Sequence, residues 1–160
     1  MSVLEIAQVG HPVLRERARE ITAEELRSPE VQRLIDDMIE TKRAANGAGL
    51  AANQVFDTRR IAVVEVEPGN PRYPYKPPIP LCVMVNPVLE PAGEETAEIN
   101  EGCLSVPDLR GTVDRLVAVR VRYLDRVRDP STFSTWDEFD RHHRAEFEAR
   151  ARALVERVGS

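Results

Sequence analysis

The sequence predicts a single α+β domain in which two amphipathic helices flank a series of short β-strands. An apolar stripe between residues 31 and 39 recurs at the helical period. Several segments between residues 61 and 123 are β-branched or alternate apolar and polar side chains, as strands do. A second helical stripe begins near residue 136. Helices and strands that occupy separate stretches of a chain are typical of the α+β class.

Length and composition exclude several classes of protein. The 160 residues, 42% of them hydrophobic, suffice for one domain with a sizeable core. A net charge of −5 argues against nucleic-acid binding, which usually needs a basic surface. No apolar run approaches the ~18 residues of a membrane span, and the first ten residues lack the features of a secretory signal. Two cysteines in such a chain predict a reducing, cytoplasmic location without disulfides.

The N-terminal helical region begins with two capping patterns. Thr22 followed by Glu25 matches a capping box. Ser28 and Pro29 predict the N-cap and first turn of the main helix, which should end near Asn46-Gly47. The side chains predicted to face the core are Val31, Leu34, Ile35, Met38 and Ile39.

The central part of the chain has strand patterns separated by breakers. Residues 68–80 contain six of the twelve prolines, which predicts a surface loop. Asn86-Pro87 should end the strand that precedes it. The predicted strands are residues 61–64, 81–85, 95–99 and 116–123.

The segment after residue 125 predicts a long C-terminal helix. Ser134 or Thr135 can cap it, acidic residues follow in the first turn, and Gly159 ends it. Its stripe consists of Trp136, Phe139, His143, Phe147, Ala151, Leu154 and Val158.

Residues 47–54, GAGLAANQ, form the first candidate functional segment. Gly47 and Gly49 permit unusual backbone angles or the close approach of another chain. Gln54 follows as one long polar side chain. The segment is either a backbone edge that binds a substrate, with Gln54 aimed into a pocket, or a helix-to-strand turn with a solvated Gln54.

Residues 101–107, EGCLSVP, form the second candidate segment. Cys103 has three possible roles: a buried core thiol, a nucleophile or a metal ligand. Glu101 either faces solvent or pairs with a base such as Arg110. The histidines that could assist the cysteine are His11, His142 and His143.

Four segments in this order resemble the peptide deformylase family: QVGHPVLRERAREI, IDDMIETKRAANGAGLAANQV, VMVNPVLEP and EGCLSVP. The resemblance covers residues 7–125, so residues 1–160 would form one deformylase-like domain with a family core (1–125) and a helical tail (126–160). It implies antiparallel sheets around a central helix. It also implies removal of the formyl group from the N-terminal formyl-methionine of new proteins. The implied partners are formyl-methionyl peptides or nascent-chain N-termini near the ribosome, without direct contact to nucleic acid or membrane.

The resemblance also implies roles for single residues. Cys103 matches a ligand of the family's divalent metal, Fe²⁺ or Zn²⁺. Gln54 and the backbone N–H of Leu104 match donors to the oxyanion that forms on the formyl group. A metal-bound hydroxide and preorganised donors are what amide hydrolysis near neutral pH requires. Gly47, Gly49 and Leu50 match the backbone that pairs with the substrate.

Glu101 and Arg110 match a buried ion pair that shapes the cysteine loop of the family.

The family's third motif, H-E-x-x-H on a helix, is absent from the sequence. Its histidines would complete the metal site, and its glutamate would act as general base. Residues 123–126 join the strand before the motif helix directly to a segment that resembles the family's sequence after that helix, so we infer that the helix is deleted. His142 and Glu146 have the i, i+4 spacing that could replace the ligands, although such pairs more often lie on a solvated surface.

The sequence therefore predicts a deformylase homologue with impaired or absent catalysis, a pseudoenzyme. Two alternatives stay open. The chain could be a non-catalytic module that binds formyl-peptides or other N-terminal peptides, or an active enzyme with a site rebuilt from the C-terminal helix.

Overall fold

A computed structural model of the protein describes residues 2–74 and 77–126. Helices and antiparallel strands occur together within these ranges, which confirms the α+β class. The C-terminal helix expected after residue 126 lies outside the described residues. The regular elements are α1 (Ala23–Arg27), α2 (Pro29–Ala44), β1 (Gly49–Ala51), β2 (Ile61–Val66), β3 (Ile79–Pro91), β4 (Thr96–Cys103), β5 (Val106–Leu116) and β6 (Val119–Asp125), with 3-10 turns at Pro12–Arg15 and Ala52–Val55.

The two helices begin where the capping patterns predict. The Thr22 hydroxyl accepts from the N–H of Glu25 at 3.1 Å, and the Glu25 carboxylate accepts from the N–H of Thr22 at 2.8 Å. The Ser28 hydroxyl accepts from the N–H of Val31 at 3.2 Å. After α2 ends, Asn46 adopts a left-handed conformation with φ 51°. The predicted capping box, N-cap and helix end are therefore confirmed.

Helix α2 packs on one face of an antiparallel four-stranded sheet with the order β1-β2-β3-β6. The stripe of α2 and one set of alternating strand residues form the core, as the period-two pattern of strands requires. Strand β1 is an edge of this sheet, and β1 carries part of the GAGLAANQ segment. Strands β4 and β5 pair in a separate hairpin that carries the cysteine segment.

Strand β3 does not end at Asn86-Pro87, so that part of the sequence prediction is wrong. The strand continues to Pro91, and its pairing with β6 changes register between Val85 and Val88. The side chain of Asn86 accepts from the N–H of Ile21 at 3.0 Å and donates to its C=O at 2.8 Å. Asn86-Pro87 therefore forms a bulge within β3, and the hydrogen bonds between Asn86 and Ile21 hold the bulge in place.

The segment 116–123 also differs from the prediction of one strand. Strand β5 ends at Leu116 and β6 begins at Val119. The N–H of Val117 donates to the C=O of Glu95 at 2.9 Å, outside either ladder. The alternating pattern therefore covers parts of two strands that belong to different sheets. Alternation indicates which side chains face the core, but it does not show where the chain turns between two strands.

Residues 68–74 of the proline-rich segment contain turns, and residues 77 and 78 lie outside helices and strands before β3 begins at Ile79, in agreement with the predicted loop. Its buried Asn70 donates to the C=O of Asn46 at 3.4 Å, which ties the loop to the turn after α2. The described ranges include no helix long and apolar enough to cross a membrane.

Candidate peptide-binding edge and cysteine loop

The two candidate segments meet through Gly47 and Leu104. Gly47 is buried in the turn after α2, and Leu104 packs against the hydrophobic core. A Cβ atom at Gly47 would lie 2.7 Å from Cδ1 of Leu104, closer than van der Waals contact allows. The glycine therefore leaves the space that the leucine of the cysteine loop fills.

Gln54 connects the same two segments with both ends of its amide. Its Oε1 accepts from the N–H of Ala51 at 3.0 Å, at the end of β1. Its Nε2 donates to the Ser105 hydroxyl at 3.0 Å and lies 3.5 Å from the sulfur of Cys103. Gln54 therefore spans the end of β1 and the cysteine loop, and the interpretation as a solvated turn residue is wrong.

Ser105 is the site residue that the sequence reasoning missed. Its side chain is buried beside Gln54, and its C=O accepts from the N–H of Val9 at 2.7 Å. A serine between apolar neighbours in EGCLSVP was a usable signal, because a buried hydroxyl needs a partner. Only the fold shows that the partner lies about fifty residues earlier.

Cys103 is exposed and is the last residue of β4, where it pairs with Val106 across a register shift. It is a free thiol. The interpretation as a buried core thiol is therefore wrong. The sulfur lies at the surface, within reach of the Gln54 amide.

Strand β1 presents an open backbone edge. Within the described ranges it pairs only with β2. The N–H of Glu65 donates to the C=O of Ala48 at 3.0 Å, and Gly49 is opposite Val64 in the register. Because hydrogen-bonded and non-bonded pairs alternate in an antiparallel ladder, the N–H and C=O of Gly49 point away from β2. The Leu50 side chain is buried in the core, so Leu50 offers the edge no side chain.

The expected buried pair of Glu101 and Arg110 is not formed. The Glu101 carboxylate instead receives two hydrogen bonds from Arg115, at 2.7 and 2.8 Å, and both side chains are substantially exposed. The Arg110 guanidinium donates to Asn100 at 2.8 Å. The register explains the difference, since Glu101 is opposite Gly111 and Arg110 is opposite Gly102, which puts the two side chains on different faces of the hairpin.

A buried charge cluster supports the turn that leads into β1. Lys42 is 0% exposed, and its Nζ lies 3.0 Å from the Glu65 carboxylate and 3.4 Å from the C=O of Gly47. Arg43 binds the same carboxylate through two hydrogen bonds, at 2.8 and 2.9 Å. These bonds, followed by those of Lys42, hold the pKa of Glu65 below its usual value. Lys42 continues the i, i+4 stripe of α2, which was the signal that it is buried.

The described residues do not fit a three-ligand metal centre. No group of three or more His, Cys, Asp or Glu side chains in residues 2–74 and 77–126 could hold an ion. His11 instead caps the first 3-10 turn, where its Nδ1 accepts from the N–H of Val13 at 3.3 Å, and its ring contacts Phe56 edge-on. The other candidates, His142, His143 and Glu146, lie outside the described residues.

Comparison with known proteins identifies the family. A model of the family "Polypeptide deformylase" matches residues 3–141. Curated peptide deformylases from Leptospira biflexa and Nostoc are 38% and 43% identical; each alignment covers 78% of this chain, and covers 70% and 68% of those proteins. A class I type b peptide deformylase from Acinetobacter baumannii, solved with Met-Ala-Ser bound, is 42% identical with a TM-score of 0.74, over 79% of each chain. The chain therefore belongs to the polypeptide deformylase family.

Proposed function

We propose that this chain binds formyl-methionyl peptides along β1 and does not hydrolyse them efficiently. The open edge at Gly49 is the observation that carries the proposal. Its N–H and C=O point away from β2, so an extended peptide can pair with them as an added strand. The Acinetobacter relative with bound Met-Ala-Ser supports a peptide as the occupant.

The polar atoms at the end of β1 supply the recognition of the first residue. Gln54 occupies the end of the edge and keeps its Nε2 beside Ser105 and the sulfur of Cys103. A peptide paired with Gly49 and directed toward Gln54 carries its formyl group to this position. The Gln54 amide and the N–H of Leu104 are then the donors for the formyl oxygen, which an unformylated amine lacks.

The packing between the two segments keeps these donors in place before a peptide arrives. Leu104 fills the space at Gly47, and the Ser105 hydroxyl fixes the direction of the Gln54 amide. A site whose groups are ordered in advance loses less conformational entropy on binding. Nascent-chain N-termini have this chemistry and are the natural partners that we propose.

Hydrolysis of the formyl group requires a metal site in addition to the peptide-binding edge of β1. The deformylase family generally depends on a divalent metal, which provides a hydroxide near neutral pH. Catalytic sites of this kind use three protein ligands. Cys103 supplies one sulfur, the sequence contains no H-E-x-x-H, and the described residues offer no second and third ligand. We therefore expect the formyl group to be bound and left intact.

Nuclear magnetic resonance with ¹⁵N-labelled full-length protein tests the binding. Addition of formyl-Met-Ala-Ser should shift the amide signals of Gly49 to Gln54, and unformylated Met-Ala-Ser should shift them less at equal concentration. Gln54→Leu should remove most of this difference between the peptides, because it removes the amide donor. An unchanged spectrum at millimolar peptide would reject the binding function.

A further inference from the structure

The four-stranded sheet has two faces that differ in burial. On the face toward α2, alternate residues such as Leu50, Val63 and Val85 are buried in the core. Paired residues of antiparallel strands share a face, so the register assigns the intervening residues to the opposite side, here called the second face. The sulfur of Cys82 and the hydroxyl of Tyr123, both on the second face, lie 3.3 Å apart, which agrees with this assignment.

The second face is apolar, and the part of it formed by β3 and β6 near Leu89 and Val119 is exposed. It includes Val64, Met84, Leu89, Val119 and Val121, and its one charged side chain within the described strands is at the end of β6. Apart from Val66 at the end of β2, which is 2% exposed, its residues are partly or fully exposed, and Leu89 and Val119 are 64% and 42% exposed. Continuous apolar surface of this kind marks a docking site.

The opposite side of β3 and β6 carries charged residues near Glu90. Glu90 forms an ion pair with Arg122 at 2.7 Å, on the side to which Val88 also belongs. Val88 therefore lies on the charged, solvated side of these strands, whereas its neighbour Leu89 lies on the second face.

We propose that the apolar stripe from Trp136 to Val158 docks on the second face of its own chain. Strand β6 is the edge strand at which the described chain ends, so the following residues start at an edge that borders both faces of the sheet, although the side chain of Arg126 itself binds Gln32 and Asp36 on the α2 side. The ten residues from Arg126 to Trp136 can reach ~33 Å when extended, and four strands are only ~15 Å across. Ten residues therefore suffice to carry the start of the stripe across the full width of the face.

The stripe also matches the second face in length and chemistry. A helix over its 23 residues would be ~35 Å long, close to the ~43 Å of the thirteen residues of β3. Its members are apolar except His143, and charged residues take most positions between them. The covalent connection gives this segment a high effective concentration, which favours it over a second copy of the chain.

Trp136 is the only tryptophan in the sequence, so its fluorescence reports on the docking. In the full-length protein we expect emission at the short wavelength of a buried indole and weak quenching by acrylamide. Leu89→Asp should shift the emission to longer wavelength and increase quenching several-fold. Val88→Asp is the matched control, because Val88 is 40% exposed on the same strand but on the other side.

The proposal is overturned if Trp136 is fully accessible in the unmodified protein, or if the two aspartate variants behave alike. Leu89→Ser repeats the test with a smaller perturbation, and far-UV circular dichroism confirms that each variant is folded. Fluorescence that changes with protein concentration, together with dimers in sedimentation velocity, would assign the face to a second copy and also overturn the proposal. The titration with formyl-Met-Ala-Ser is independent of these results, since docking goes beyond the proposed binding function.

Discussion

Removal of the Glu65 carboxylate should destabilise the protein more than removal of its buried partner Lys42. Glu65→Gln keeps an acceptor oxygen in the side chain but leaves the ammonium of Lys42, at 0% exposure, without the negative charge that lies 3.0 Å away in the unmodified protein. An uncompensated buried charge costs about 3–5 kcal/mol. Domains of this size are stable by about 5–15 kcal/mol, so the loss is a large fraction of the free energy of unfolding.

Lys42→Met should cost less, about 1–2 kcal/mol. Methionine keeps most of the apolar stem, and Glu65 retains both hydrogen bonds from Arg43. The double variant Lys42→Met/Glu65→Gln should be more stable than Glu65→Gln alone, because no ammonium is then buried without a counter-charge. Arg43, which remains, is partly exposed and lies 3.8 Å from Glu67.

Urea unfolding at pH 7, followed by far-UV circular dichroism, measures these free energies. Glu67→Gln is the control, since this exposed neighbour should change stability by less than about 1 kcal/mol. The reasoning is refuted if Lys42→Met is the more damaging single change, or if the double variant is no more stable than Glu65→Gln.

The geometry of the same region supports three further predictions. Gly49→Ala should leave the free energy of unfolding nearly unchanged, because the added Cβ would make only ordinary contacts, the nearest at 3.5 Å. Gly47→Ala should lower the free energy of unfolding, because the added Cβ would displace the side chain of Leu104. Urea unfolding compares the two variants. The pKa of Glu65 is lower in the folded state than its unfolded value near 4.5. The carboxylate therefore stabilises the protein fully above pH 4.5, and this contribution is lost as the pH falls through the folded pKa. The free energy of unfolding should accordingly fall less between pH 7 and acid in Glu65→Gln than in the unmodified protein. Cys103 should react with a thiol reagent well before Cys82, because Cys103 is exposed and burial raises the pKa of the Cys82 thiol; equal rates measured by mass spectrometry would contradict this.

Local sequence signals predicted the parts of the fold that depend on neighbouring residues. The Thr22 and Ser28 caps and the start of α2 are set by side chains within three residues of the backbone groups they bind. The stripe from Val31 to Ile39 predicted the face of α2 that lies in the core; the stripe continues to Lys42, which was not predicted to be buried. These features follow from helix geometry alone.

Features that depend on distant contacts were not predictable. Asn86 makes a bulge because its side chain finds Ile21, sixty-five positions away. The partner of Glu101 is decided by the register of β4 and β5, which spacing along the chain does not reveal. The same holds for the contact between Gln54 and Ser105. The resemblance to the deformylase family identified the segments that meet, and the fold determined which atoms touch.

A single sample tests most directly whether the chain binds the formyl-peptide without hydrolysing it. Full-length ¹⁵N-labelled protein is incubated anaerobically with zinc and formyl-Met-Ala-Ser, and one series of spectra follows both the protein amides and the formyl proton of the peptide. We predict shifted amides from Gly49 to Gln54 and a formyl signal that persists. Conversion of that signal to free formate, abolished by Cys103→Ala, would show that the chain is an active deformylase and would contradict the account.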